Sequence, residues 1–194
     1  MRMSKSFLPK LQELIACSVE RERKNGKILN EVVLKEINEQ DGSIVSQVTI
    51  SNLPDDTFIF KVDAAFPEPD QFFNDIEGVR KRADYILLAQ KNDKKRVLFI
   101  EMKRTKDSEN GIHAQLRGAS CVLDYCKAVL LRFLGEETIL NGFEERYVSF
   151  GGHQHKRLTG RDSATNRNAP LNDSPENMQK LKGHSFTYQQ LIRQ

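Results

Sequence analysis

The chain has 194 residues, 38% of them hydrophobic and 29% charged, which fits one well-packed domain with a modest extension. Its net charge of +3 permits a polyanionic partner without requiring one. Three cysteines without a CxxC motif and the lack of any run of about 18 apolar residues argue against a disulfide framework, a zinc ribbon and a membrane span. We therefore expect a cytoplasmic protein whose thiols, at Cys17, Cys121 and Cys126, are buried.

The domain, residues 1–194, divides into three predicted parts. Residues 1–40 are expected to form N-terminal helices, because their apolar residues recur with helical spacing. Residues 41–150 are expected to form the sheet core. Residues 151–194 are poor in apolar residues at first and are predicted to form a basic loop followed by short helices.

Four segments of the first half carry the pattern of regular structure. Phe7–Val19 and Ile28–Ile37 have apolar residues at helical intervals and predict two helices. Ile44–Ile50 and Phe58–Phe66 each follow a turn signal and have strand composition. We expect these two strands to pair with each other and to widen the sheet to which the next strands belong.

The segment Arg82–Lys103 has the pattern of a β-hairpin. Two runs rich in Ile, Leu, Val, Phe and Tyr flank a polar loop. Asn92 and Asp93 are placed at its tip, since both residue types tolerate positive φ in tight turns. If the hairpin closes between them, Ile86 faces Phe99, and apolar pairs cover both faces of the hairpin.

The same register places two carboxylates opposite each other, those of Asp84 and Glu101. Like charges facing one another destabilise a sheet unless a positive charge lies between them, and a divalent cation would provide it. Side chains alternate along a strand, so Lys103 projects on the side of Glu101 and Met102 on the other. The alternative is an edge hairpin with charged ends, in which an arginine pairs with Asp84 and Lys103 is solvated.

After the hairpin, Ile112–Leu134 is strongly apolar with helical spacing, and Gly135 is expected to end that helix. A strand is predicted at Arg146–Phe150. The helix would therefore cross over the sheet and return the chain for a further strand.

At the hairpin the chain resembles the PD-(D/E)xK nuclease superfamily. Asp84 resembles the Asp at the head of the family's second core strand, and Glu101, Met102 and Lys103 resemble the ExK of the third. The resemblance implies an α/β restriction-endonuclease-like core, a central mixed β-sheet flanked by helices. It implies that Asp84, Glu101 and the Met102 carbonyl bind Mg²⁺, for which Mn²⁺ could substitute, and that Lys103 assists the nucleophilic water. The sequence departs from the family at Ala83, where proline is frequent.

Two further residues are carried over by the resemblance, which spans roughly residues 26–151. Glu31 resembles a glutamate of the family's first core helix that points at the metal site, although an exposed helical Glu beside Lys27 or Lys35 is the alternative. Gln115 resembles a glutamine that some branches place near the substrate or the lysine. The tyrosine that follows four residues later in those branches is Ala119 here.

Basic residues adjoin this predicted site and recur in the later loop. A phosphate backbone that approached Asp84 would meet the first group, and the second could follow a nucleic-acid backbone electrostatically. The alternative is a surface basic cluster without a ligand. The residues concerned are Arg80, Lys81 and Arg82, followed by Lys156, Arg157 and Arg161.

Two features are predicted near the C-terminal end of the sequence. Ser174 followed by Pro175 is expected to start a short helix. Tyr188, Leu191 and Ile192 offer an apolar patch for docking on the core or on another chain.

These features together predict a metal-dependent endonuclease that hydrolyses phosphodiester bonds, with DNA favoured over RNA. Asp84 and Glu101 would hold the metal and Lys103 would serve the water. An RNA endonuclease is the nearest alternative, and a non-catalytic nucleic-acid-binding or assembly subunit with the same fold is another. The partners expected are nucleic acid and a second copy of the chain or a larger protein.

Overall fold

The computed structural model describes residues 7–24, 27–38, 40–62, 76–103, 108–151 and 170–192. The described chain is an α/β structure of mixed sheets flanked by helices. Its helices are α1 (Leu8–Leu14), α2 (Glu109–Leu134) and α3 (Tyr188–Leu191). Its strands are β1 (Arg23–Lys24), β2 (Lys27–Ile28), β3 (Glu31–Ile37), β4 (Ile44–Ser51), β5 (Asp56–Lys61), β6 (Tyr85–Lys91), β7 (Lys94–Lys103), β8 (Phe143–Gly151), β9 (Gln179–Leu181) and β10 (Ser185–Thr187).

The described strands form a main sheet and a second sheet beside one small pair, β1 and β2. The main sheet has the order β5-β6-β7-β8-β9. Its first three strands are antiparallel, and β8 runs parallel to β7 after the chain has passed through α2. The second sheet has the order β10-β4-β3. The predicted crossover from the hairpin through a helix to a further strand is therefore confirmed.

The predicted hairpin is confirmed together with its register. β6 and β7 pair from Tyr85 opposite Ile100 to Lys91 opposite Lys94. Asn92, at the turn, has a φ of 55°, which matches its choice as a residue that tolerates the left-handed region.

Apolar layers cover both faces of this hairpin, as the sequence predicts. Ile86 and Phe99 pack in the layer formed with α1 and α2. Leu87 and Leu98 pack in the layer formed with the second sheet and the C-terminal residues. A one-residue slip would exchange these faces, so burial on both sides fixes the register.

Helix α2 is longer at its start than predicted and ends where predicted. The side chain of Ser108 accepts a hydrogen bond from the Gly111 N–H and caps the first turn. Gly135 follows the helix with a φ of 66°, and its N–H donates to the Leu130 carbonyl. The strand that follows, β8, includes the predicted Arg146–Phe150.

The first predicted helix is shorter than its apolar spacing suggests. α1 ends at Leu14, and by Val19 the chain is extended, with its N–H donating to the Ile59 carbonyl. Residues after the helix therefore follow β5, because the chain finds backbone partners at the edge of the main sheet.

The second predicted helix is wrong, because residues 31–37 form strand β3. Val32 and Leu34 are fully buried, whereas Val33 and Lys35 between them are less so. This alternation has the period of a strand. The β-branched residues of the segment suit the pairing with β4, which decided the conformation.

The predicted pairing of the next two strands is also wrong. β4 pairs with β3 and β10 in the second sheet. Of the two predicted strands, β5 is the one that pairs with the hairpin. Asn52, with a φ of 56°, turns the chain from one sheet to the other. β5 ends at Lys61, and residues 63–66 of the predicted strand lie outside the described residues.

Of the two features predicted near the C-terminal end, the apolar patch is confirmed and the short helix is not. Ser174 and Pro175 form a turn rather than the predicted helix. The apolar patch is confirmed as a core contact, because Tyr188, Leu191 and Ile192 are each at most 3% exposed.

The predicted burial of the cysteines holds only at Cys126, since Cys17 and Cys121 are exposed. None of these three cysteines, all of which the structure describes, is in a disulfide bond. Within the described part of the chain, no helix has the length and apolar character needed to cross a membrane.

The hydroxyl group of Tyr85 makes hydrogen bonds between the two sheets. Tyr85, 3% exposed, lies on β6, and its hydroxyl donates to the Lys35 carbonyl at 2.6 Å. The same hydroxyl oxygen accepts from the Lys35 N–H at 3.0 Å.

We predict that Tyr85→Phe lowers the free energy of unfolding by about 1–3 kcal/mol, because both backbone groups of Lys35 lose their partner. Urea denaturation measures the change. Thr138→Val is the control, since it also removes one hydroxyl group and Thr138 is exposed. Equal stability of the Tyr85→Phe variant and wild type would show that the hydroxyl does not hold the sheets together.

Candidate active site

Strand pairing brings Asp84 to the end of the ExK strand. Asp84 directly precedes β6, and its Oδ2 accepts a hydrogen bond of 2.6 Å from the Met102 N–H of β7. Its carbonyl accepts from the Val62 N–H at 2.8 Å. Asp84 is therefore fixed between Val62, which follows β5, and Met102 of β7.

Lys103 lies beside Glu101, as the strand alternation predicts. The Lys103 Nζ is 2.7 Å from the Glu101 Oε1. Glu101 is 1% exposed, whereas the Lys103 side chain is 19% exposed. Alternation also places Asp84 and Glu101 on the same face of the hairpin as Ile86 and Phe99, the face covered by α1 and α2.

The electrostatics of Glu101 are those of a buried acid among like charges. Burial raises its pKa from the ordinary 4.5 to about 8, and the negative charge of Asp84 acts in the same direction. The ammonium of Lys103 opposes this shift, and the charge of Glu36 adds to it. The Glu101 Oε2 is buried and has no hydrogen-bond partner among the described residues.

Glu36 is a further acid whose charge acts on Glu101, and sequence reasoning did not single it out. It lies on β3, on the side of the buried Val32 and Leu34, next to an irregularity in the pairing between Glu36 and Ile37. Bulges of this kind redirect side chains and are frequent beside active sites. The Glu36 Oε2 is buried without a hydrogen-bond partner in the described chain. The alternation Val32, Leu34, Glu36 is the signal that a strand assignment would have revealed.

Glu31, the predicted third acid, lies at the other end of β3. It is five positions from Glu36, roughly 16 Å along a strand, and an odd number of positions puts the two side chains on opposite faces. Its register partner is Ser51 of the second sheet. The acid of this segment whose charge acts on Glu101 is Glu36.

Gln115 lies on the second turn of α2, the helix that follows the ExK strand. It is half-buried, on the side of the helix that carries Ile112 and Ala119 towards the sheet. Its Oε1 is buried and has no hydrogen-bond partner among the described residues. This position is compatible with the role implied by the resemblance.

The basic residues before Asp84 differ in their surroundings. Lys81 is exposed and Arg80 is half-buried. The Arg82 guanidinium donates to the carbonyls of Val79 and Lys81, so it holds its own loop. A Cβ on Gly118 would lie 1.8 Å from the Lys81 carbonyl oxygen, so this glycine lets the loop pack directly on α2.

The other predicted basic residues, Lys156, Arg157 and Arg161, lie outside the described residues.

The donor set can be compared with the needs of a divalent cation. Within the described ranges, no group of three or more His, Cys, Asp or Glu side chains is arranged to hold a metal ion. Mg²⁺ needs only one or two protein carboxylates, because it retains several waters. Asp84 and the unpartnered oxygen of Glu101 meet that requirement. The N–H and C=O of a strand residue point to the same neighbouring strand, so the Met102 carbonyl is directed towards Asp84.

Comparison with protein-family models, curated proteins and solved structures gives no match to this chain. The interpretation of the site therefore depends on its residues and their geometry.

We predict that the metal-free protein loses stability as pH rises from about 4.5 to about 8, because folded Glu101 retains a proton that the unfolded chain releases. Glu101→Gln removes this contribution and should flatten the dependence. Urea denaturation in a chelator across this interval measures the slope. Glu137→Gln, at an exposed position, is the control and should retain it. Identical slopes for wild type and Glu101→Gln would contradict the prediction.

Proposed function

We propose that this protein is a divalent-metal-dependent endonuclease that hydrolyses phosphodiester bonds, with DNA as its preferred substrate. The observation that carries the proposal is the association of Asp84, Glu101 and Lys103 at the end of one hairpin. A buried acid with a second acid and a lysine beside it is costly for folding alone. Strongly perturbed acids of this kind are concentrated at functional sites.

The topology supports assignment to the PD-(D/E)xK superfamily with its restriction-endonuclease-like core. The acid precedes the second strand of an antiparallel series, and the ExK segment ends the third. A helix, α2, then leads to a strand parallel to the third. These are the positions that the resemblance assigns to Asp84, Glu101 and Lys103.

Mg²⁺, or Mn²⁺ in its place, fits the donor atoms of this site. Asp84, Glu101 and the Met102 carbonyl would hold it, and when bound it would neutralise phosphate charge and make water more acidic. Ionisation of Glu101 is then favoured, since a cation opposes the effects of burial and of Asp84 on its pKa.

Lys103 is suited to positioning the attacking water. Its ammonium is held 2.7 Å from the Glu101 Oε1 and still reaches solvent. An ammonium carries three donors, so it has the capacity to contact water or a phosphate oxygen as well as Glu101. Gln115, on the adjoining helix, is proposed to contact the same reactants.

Glu36 is proposed to act from outside the direct ligand set. Its charge reaches Glu101, yet it does not complete a three-residue cluster among the described residues. A carboxylate near a metal site, but not bound to the metal, can accept hydrogen bonds from waters that the cation retains. Such hydrogen-bond partners of the ligands affect metal affinity.

The basic residues suggest how the substrate would approach. Arg80 and Lys81 precede Asp84 and are proposed to meet the phosphate backbone, while Arg82 holds the loop that presents them. The proposal of DNA over RNA is tested by assaying both polymers in duplex and single-stranded form.

We predict that Glu101→Ala and Lys103→Ala each lower Mg²⁺-dependent cleavage of plasmid DNA by at least about 100-fold, the usual scale for loss of a group that positions or activates water. Lys94→Ala, at the opposite end of β7, and Glu137→Ala are matched controls. Circular dichroism confirms folding of each variant. Undiminished cleavage by either site variant, on DNA and on RNA, would refute the proposed enzyme.

We predict that Glu36→Gln weakens Mn²⁺ binding by about 10-fold in calorimetry, because outer-sphere partners affect metal affinity on that scale. Glu31→Gln, on the same strand, is the control and should bind as wild type does. If both variants bind Mn²⁺ equally well, Glu36 has no part in the site.

A further inference from the structure

The outward side of α2 has an exposed surface, here called the α2 face. At 3.6 residues per turn, its members lie within roughly 60° of Ala128 when viewed along the helix axis. They are Cys121, Asp124, Tyr125, Ala128, Leu131 and Arg132, and all are exposed.

The centre of the α2 face is apolar and shallow. Tyr125 is 60% exposed and Leu131 is 49% exposed, one on each side of Ala128. A side chain that ends at Cβ allows a second helix to approach closely at Ala128, and the larger side chains beside it could then pack around the crossing point. The surface therefore has the shape of a helix-packing site.

The charges of the α2 face are self-complementary. In an antiparallel pair of α2 helices related by a two-fold axis at Ala128, residues whose numbers add to 256 lie at the same level. Asp124 of each copy is then level with Arg132 of the other, and Tyr125 is level with Leu131. In an isologous interface, if residue i of one copy contacts residue j of the other, then residue j of the first copy also contacts residue i of the second. The charges of the α2 face meet this condition. The Asp124 carboxylate, whose Oδ1 is 2.9 Å from the Lys127 Nζ, has a second oxygen for Arg132.

We propose that the α2 face is a homodimer interface, in which two copies of the chain pair their α2 helices antiparallel about Ala128. Arg132 of one copy reaches Asp124 of the other and lies beside the Tyr125 ring, where a guanidinium is favoured. Tyr125 and Leu131 of the two copies cover each other. This association does not depend on the proposed nuclease activity.

The structure also supplies a control position. Phe133 is the most exposed large apolar side chain described, at 80%, but it points roughly 140° away from Ala128. A general hydrophobic association would involve Phe133, whereas the proposed interface leaves it in solvent.

Light scattering over a concentration series provides the first test. Wild type is expected to approach twice its chain mass of 22.3 kDa as concentration rises. Leu131→Arg should remain at the monomer mass with an unchanged circular dichroism spectrum, and Phe133→Arg should dimerise as wild type does. A wild-type protein that is monomeric throughout would overturn the proposal, as would equal loss of the dimer in both variants.

Disulfide trapping provides the second test and locates the axis. Ala128→Cys, in a chain with Cys17→Ser and Cys121→Ser, should form a covalent dimer on mild oxidation, because only a residue at the two-fold axis meets its own copy. Phe133→Cys in the same background should not. Equal cross-linking at both positions, or none at Ala128, would refute the proposed geometry. Neither test uses nucleic acid or metal, so the outcome is independent of the enzyme assays.

Discussion

The pairing of β6 with β7 is the constraint on which the candidate site depends. Its register, Tyr85 opposite Ile100, places Asp84 beside the Met102 N–H and on the face that carries Glu101. A slip of one residue would turn Glu101 to the other face and exchange the side chains that β7 contributes to the two apolar layers. The same apolar burial that stabilises the hairpin therefore also holds two acids at its end.

The described chain buries ionisable side chains at both ends of β7, and the sign of the excess charge differs between the two groups. On β7 and β8, Arg96 and Arg146 are 6% and 7% exposed, and both approach Glu144, at 3.5 Å and 3.0 Å. Two guanidinium groups there share one carboxylate, so the excess charge is positive. At the other end of the same strands, Lys103 contacts Glu101, but Asp84 adds a second negative charge, and burial raises the pKa of Glu101 to about 8. Two acids beside one lysine favour a ligand of positive charge.

Turn residues and apolar periodicity within one segment were enough to predict the hairpin and α2. The conformation of residues 31–37 and the placement of β4 depend on pairing between segments that are distant in sequence. The hairpin is specified by its own turn and its own apolar pairs, and α2 by a long periodic run with Gly135 at its end. The apolar residues of Ile28–Ile37 fit a helix and a strand about equally, and pairing with β4 settled the matter. The placement of β4 itself depends on β10, more than 130 residues later. Glu31 is carried over by the resemblance as a residue of that predicted helix, whereas the structure places it on β3.

The second sheet contributes Glu36 near the candidate site, and its contact with Tyr85 fixes the position of that acid relative to Asp84. Tyr85 follows Asp84 in sequence, and Lys35 precedes Glu36; the hydroxyl of Tyr85 binds both backbone groups of Lys35. One contact between the sheets thus fixes the neighbours of two acids at once. Because backbone hydrogen bonds limit movement more than contacts between long side chains do, the distance between Asp84 and Glu36 is set by the fold. The acids of the candidate site are therefore contributed by two sheets, and their spacing depends on how those sheets pack.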